Sequence, residues 1–267
     1  MKYEDILFRT GDGVAHITIN RPRKYNAFRG STLREMIHAF RSAADDREVG
    51  VIVLTGAGEK AFCAGGDVQW EAEGSLETES DDAMKSEAGE LVDELYEVMR
   101  TCYKPTIARV NGYAIGGGNH LAYFCDFTIA SENAIFGQNG ARVGSPAGGY
   151  IVNYLVRVLG QKRAREMWML CRRYTAKQAL DWGLANAVVP MEQLDDEVRR
   201  WCDELLALSP TCLKIFKATF DDEAVRLREH QRNYVGELNP GFFESGEQQE
   251  GAAAFQEKRA PDFSRFR

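Results

Sequence analysis

The chain is expected to be an α/β protein. Short apolar runs of strand composition alternate with helical stretches through its first half, and the pattern becomes helical after about residue 160. Val14 to Ile19 (VAHITI) has strand composition, and His16 inside it reads as a strand residue without catalytic duty. Ser31 to Ala44 places Leu33, Met36, Ile37, Phe40 and Ala44 at helical spacing, with Ser31 or Thr32 positioned to cap the helix. Val49 to Leu54 (VGVIVL) and Pro105 to Val110 (PTIARV) are continuous apolar runs, as strands covered on both faces of a parallel sheet would be, and Phe127 to Ala130 (FTIA) is a shorter one. Residues 71–86 are acidic and poor in large apolar groups, which predicts a surface loop or a lid over a pocket. Helices are predicted over Arg163 to Cys171, from Thr175 to near Gly183, and from Leu194 to Leu208. The chain divides into a core over 1–200 and a C-terminal helical region and tail over 201–267. The basic, aromatic end from Pro261 is expected to dock on the rest of the protein.

Composition narrows the class. A chain of 267 residues with 44% hydrophobic content can bury roughly 75% of its unfolded surface. A net charge of −7 argues against nucleic acid as the main partner. None of the six cysteines forms a CxxC pair, and most lie in apolar surroundings, which predicts buried free thiols in a reducing compartment. The start lacks the apolar core of a signal peptide, and no apolar run approaches the roughly 20 residues of a membrane helix. A cytoplasmic protein is therefore expected.

Two glycine-rich segments carry the chemistry. Ala61-Phe62-Cys63-Ala64-Gly65-Gly66-Asp67 and Asn111-Gly112-Tyr113-Ala114-Ile115-Gly116-Gly117-Gly118-Asn119-His120 each follow an apolar run and open a helix. Glycine there lets backbone N–H groups approach a ligand, and a helix N-terminus favours negative charge. Two such loops side by side would aim two amides at one developing oxyanion. A Gly-rich turn that merely packs a strand against a helix is the plain alternative for either segment alone. Neither fits a dinucleotide or Walker fingerprint.

Several separated motifs resemble the crotonase (enoyl-CoA hydratase/isomerase) superfamily in order and spacing. They are Asn20-Arg21-Pro22 with Asn26-Ala27, then FCAGGD, then NGYAIGGGN, then Asp126, then Ala134-Ile135-Phe136-Gly137-Gln138. The resemblance spans nearly the whole chain. FGQNGARVGS, YLVRVLGQKRAREMW and AAAFQEKRAPDF are similar to the naphthoyl-CoA synthase and ketocyclohexanecarboxyl-CoA hydrolase branch. It implies a spiral of ββα units with a C-terminal helical trimerisation region, assembled as a homotrimer or homohexamer. It also implies an acyl-CoA substrate, with coenzyme A as part of that substrate and no tightly bound cofactor or metal. Gly66 and Gly117 would donate the oxyanion-hole N–H groups. Ala64 and Gly65 would line the adenine and pantetheine channel, with Ala27 beside the pantetheine arm. Arg23 and Lys24 suit the CoA phosphates, and Lys258 would reach one from a neighbouring subunit.

The chain departs from the family pattern where acids belong. The two glutamates of ordinary hydratases fall at His120 and Gly140, and the aspartate of the ring-closing and ring-opening branch falls at Ala147. The C-terminal tyrosine of that branch is replaced in Phe242-Phe243. His120 is left as the candidate for handling a proton or activating water. Gln138, Ser145, Tyr150 and Asn119 are candidate supporting groups, and Trp70 and Glu71 candidate lining of the acyl pocket. In the naphthoate-synthase branch the residues matching Gln138 and Gly140 help hold a bicarbonate, so bicarbonate is an expected ligand. His38 and His230 read as surface residues. The leading expectation is carbon–carbon cleavage or formation on a cyclic acyl-CoA through a thioester enolate. The alternatives are an enoyl-CoA hydratase/isomerase with His120 in place of glutamate, and a non-catalytic acyl-CoA-binding paralogue.

Overall fold

The computed structural model describes residues 2–68, 70, 83–229 and 234–266. Its strands fall into two sheets. β1 (Ile6–Gly11), β2 (Val14–Ile19), β3 (Val51–Gly56), β5 (Thr106–Val110), β7 (Phe127–Ser131) and β10 (Ala187–Val189) form one sheet, in that order. β4 (Ala61–Cys63), β6 (Tyr113–Ile115), β8 (Ile135–Gly137) and β9 (Arg173–Thr175) form the other. Only the β1–β2 and β8–β9 pairs are antiparallel among the described ladders. The pairs β3–β4, β5–β6 and β7–β8 thus each step from the first sheet to the second. Helices α1 (Gly30–Asp45), α2 (Ala83–Thr101), α3 (Gly117–Phe124) and α4 (Gly140–Val143) are interleaved with these steps.

The continuous apolar runs are explained by burial on both faces. Ile52, Leu54, Ala108 and Val110 join the larger core with Phe40, Phe62, Phe124 and Phe136. Val51, Val53, Ile107 and Ile129 point to the opposite face, as the period of two requires. There they meet Val198, Cys202 and Leu205 of α8 (Leu194–Leu206). The division expected at 200/201 falls inside this helix. Between β8 and α8 lie α5 (Tyr150–Leu159), α6 (Gln161–Leu170) and α7 (Ala176–Asp181). Helices α9 (Pro210–Glu229), α10 (Tyr234–Leu238) and α11 (Glu247–Gln256) complete the chain.

Three expectations are modified. Residues 83–86, read as loop, are helical; Ala83, Met84 and Lys85 are strong helix formers and extend the helix that packs Leu95, Tyr96 and Met99. Residues 71–82, with Glu71, lie outside the described residues, as does His230. Helix α1 begins one residue earlier than expected, behind Arg29. Thr32 Oγ1 accepts from the Arg29 amide at 3.2 Å, while the Ser31 and Thr32 hydroxyls donate to Asp5 at 2.8 and 2.7 Å. The hydroxyls therefore serve a buried carboxylate as well as the helix end. His38 is half-buried rather than a surface residue: Tyr3 Oη lies 2.8 Å from its Nδ1.

Among the described residues, no helix is long and apolar enough to cross a membrane. All six cysteines are free; five are buried and Cys212 is exposed.

Candidate active site

The C-terminal ends of β4, β6 and β8 lie side by side in the second sheet. Each runs directly into one of the candidate segments, Ala64–Asp67, Gly116–His120 and Gln138–Gly140. The first segment is clamped from below by the Asn20–Phe28 stretch. Phe28 N–H donates to Gly65 O and Asp67 N–H to Phe28 O, both at 2.8 Å, and Ala64 N–H donates to Tyr25 O. Asn26 Nδ2 donates to the Ala57 and Ala61 carbonyls, and Arg21 pairs with Asp67 at 2.9 Å. This is what the Asn-Arg-Pro and Asn-Ala motif is for: it holds the FCAGGD loop in place.

The two glycine loops touch. A Cβ on Gly65 would lie 3.0 Å from the Gly117 amide nitrogen, and one on Gly117 would lie 2.5 Å from the Phe28 ring. A Cβ on Gly118 would meet Cys63 O at 1.8 Å, so this position admits no side chain. Gly65 and Gly118 are buried by this packing, whereas Gly66 and Gly117 remain half-exposed. Gly117 is the first residue of α3, so its N–H has no partner within the helix. Burial pushes the Cys63 thiol up to about 12, which removes it as a nucleophile at neutral pH.

His120 lies one helical turn beyond Gly117 and is 8% exposed. Its Nε2 is 3.1 Å from Gln138 Oε1 and its Nδ1 is 3.1 Å from Tyr96 Oη. The rings of Tyr123 and Trp168 flank it at 5.5 and 5.3 Å. Burial lowers its pKa to about 4, with the Gln138 contact opposing, so the imidazole is neutral at pH 7. Gln138 Nε2 and Trp168 Nε1 are buried donors with no partner among the described residues. Ser145 is half-buried, its N–H donating to Gly140 O; a Cβ on Gly140 would lie 2.5 Å from Ser145 O. Asn119 Nδ2 faces Met167 Sδ at 3.3 Å. Trp70 is half-buried against the larger core beside Gly30.

The Tyr150 hydroxyl accepts from Arg100, whose guanidinium also lies 4.9 Å over the Tyr150 ring and pairs with Asp221 at 3.4 Å. Arg23 and Lys24 are exposed on the 3-10 turn Pro22–Lys24, and Ala27 is buried beneath the first loop. Lys258 lines a groove of about 760 Å³ with Arg142, Met169 and Phe255, and no residue of the two glycine loops lines that groove. Phe242 is buried and packs edge-on to Phe243 at 5.3 Å. Sequence reasoning missed Tyr96 and the Trp168 indole nitrogen, which helical spacing marks only as apolar positions.

The structure is thus a series of strand–strand–helix steps between two sheets, with paired glycine loops at the strand ends. The family described as enoyl-CoA hydratase/isomerase matches residues 9–265. An enoyl-CoA hydratase from Mycobacterium avium subsp. paratuberculosis K-10 is similar, with 27% identity, 98% of this chain and 99% of that one covered, and a TM-score of 0.83. An enoyl-CoA hydratase subunit I from Geobacillus kaustophilus HTA426 is similar, with 32% identity, 98% of this chain and 99% of that one covered, and a TM-score of 0.75. A monofunctional enoyl-CoA isomerase from M. smegmatis has 28% identity, 83% and 94% coverage and a TM-score of 0.69. The chain belongs to the enoyl-CoA hydratase/isomerase family of the crotonase superfamily.

Proposed function

We propose that this acyl-CoA enzyme forms or breaks a carbon–carbon bond next to the thioester of a cyclic acyl-CoA, through an enolate held by the Gly66 and Gly117 amides. The observation that carries this is the contact between the two glycine loops, which leaves Gly66 and Gly117 half-exposed above buried Gly65 and Gly118. In the cleavage direction, water adds to a ring ketone β to the thioester. The ring bond then breaks, its electron pair passes into the thioester enolate, and a proton returns to the α-carbon. The amides stabilise the charge where it develops, worth several kcal/mol in such sites. Arg23 and Lys24 would meet the CoA phosphates, Ala27, Ala64 and Gly65 the pantetheine arm, and Lys258 a phosphate of a neighbouring subunit's ligand.

A bicarbonate fits the chemistry of the third loop, because Gln138 Nε2 and Trp168 Nε1 are buried donors in want of an acceptor. Bound there it would supply a weak base in place of the acids absent at Gly140 and Ala147. Ser145 and Asn119 would support the same wall.

A second function, enoyl-CoA hydration or isomerisation with His120 as acid and base, is favoured by the hydratase and isomerase among the similar structures. It requires the imidazole to exchange one of its two contacts for water or substrate. Incubation with a cyclic β-keto acyl-CoA and with an α,β-unsaturated one, read by product mass, separates the two. A dicarboxylic acyl product supports cleavage and a hydroxyacyl product supports hydration. Binding without turnover on either points to a non-catalytic paralogue and overturns both. The exposed apolar face of α9 (Ile215, Phe216, Phe220) supports assembly as a homotrimer or hexamer, measurable by light scattering. Five buried unpaired thiols support a cytoplasmic location.

A further inference from the structure

We infer that Tyr96 is a positioning residue: its hydroxyl fixes the His120 proton on Nε2, and His120 in turn fixes which end of the Gln138 amide is free to meet a ligand. The inference rests on the proposed function only for what that free end meets.

The direction follows from donor accounting. Tyr96 is buried, with its ring stacked on Phe124 at 4.4 Å. Burial holds its phenol well above the usual range, so it keeps its proton. That O–H needs an acceptor, and His120 Nδ1 lies 3.1 Å away. If Nδ1 accepts, the neutral ring carries its proton on Nε2, which then donates to Gln138 Oε1 at 3.1 Å. The Gln138 NH2 is left pointing away from the imidazole as a donor without a partner among the described residues, and Trp168, whose ring lies 5.3 Å from the imidazole, carries a second such donor, Nε1. The reverse arrangement has Gln138 donating to Nε2 and Nδ1–H donating to Tyr96. It strands the phenol proton in a wall of aromatic rings, a buried donor left unmade. Tyr96 therefore sets, two hydrogen bonds away, that Gln138 offers its ligand a donor rather than an acceptor. It selects a carbonyl or carboxylate oxygen over a hydroxyl that must donate.

The test is 15N NMR of the full chain with labelled histidine at neutral pH, where the chain has four histidines and a His120→Gln variant assigns the signal. The expected spectrum shows His120 with Nε2 protonated and Nδ1 bare. Tyr96→Phe keeps the ring and removes the hydroxyl, and should populate the Nδ1–H form. On whichever thioester is turned over, it should lower kcat about tenfold, the scale of one neutral hydrogen bond, with KM little changed. Tyr123→Phe is the control, since its hydroxyl donates to Ile151 O at 3.0 Å, and should leave the tautomer unchanged. A wild-type Nδ1–H form, or an unchanged tautomer in Tyr96→Phe, overturns the inference. If no thioester is turned over, the proposed function fails while the tautomer still decides this one; if Tyr96→Phe does not fold, the wild-type spectrum decides it.

Discussion

Two buried polar regions share one aromatic wall and end in opposite charge states. Tyr96 stacks on Phe124, and Phe124 packs on Tyr150 at 5.2 Å. On the Tyr96 side His120, 8% exposed, meets a phenol and an amide and is stripped of its proton. On the Tyr150 side Lys217, 5% exposed, donates to Asp126 at 2.8 Å and to the Met99 and Lys104 carbonyls. Burial works against the Lys217 charge, but Asp126 outweighs it and raises the pKa. Depth is the same; what differs is the counter-charge. A buried cation survives where a carboxylate faces it and is discharged where only neutral groups do.

The strongest way to break the comparison is Lys217→Met. It leaves Asp126 without its cation and should cost about 3 kcal/mol in a urea titration. Asp126→Asn in the same chain should recover part of that, and a loss under about 1 kcal/mol would mean the pair is not a stabilising one.

The pH dependence sharpens it. The folded pKa of His120 lies below its ordinary value of 6.5, at about 4, so its contribution is full above pH 6.5. It is lost as pH falls to about 4, amounting to about 3 kcal/mol. Asp221 runs the other way. Burial raises it from 3.8 to about 6 against Arg100 and Lys217, so its contribution is present below 3.8 and lost as pH rises through 6. With partial solvent screening that is about 2 kcal/mol. Wild type should therefore look flatter between pH 4 and 6.5 than either variant. His120→Gln should gain stability on acidification and Asp221→Asn should lose it. Parallel profiles for both would show that the two groups do not titrate as the packing requires.

Tyr150→Phe removes an acceptor from buried Arg100 and should cost about 1–2 kcal/mol, read as a lower denaturant midpoint. Smallest is Lys177→Ala, which breaks the exposed pair with Asp181 on α7; a change above about 0.5 kcal/mol would be unexpected.

Much of the frame is legible in the chain. β3 and β5 read as apolar runs because Val51 to Leu54 and Ile107, Ala108 and Val110 each meet one core or the other, and the two glycine loops stand out because side chains at Gly65, Gly117 and Gly118 would collide. The His120 pocket is not legible. Tyr96 comes from a helix 24 residues upstream, and nothing in its spacing separates a phenol that donates from one that only packs. Asp126 and Lys217 are 91 residues apart, and a lysine in a charged helix looks solvated until the fold closes over it. Ser31 and Thr32 do mark a helix start, but their second partner, Asp5, is 26 and 27 residues away.

The stepping of strands from one sheet to the other makes the candidate site a row of sockets that differ in kind. β4, β6 and β8 advance by one strand per step, and each delivers a loop to the same rim. The first two sockets abut through glycine backbone, where Gly118 admits no side chain, while the third ends in side chains. Substitution in the Gln138 loop can therefore change the chemistry of that rim while the packing of the two glycine loops stays as it is.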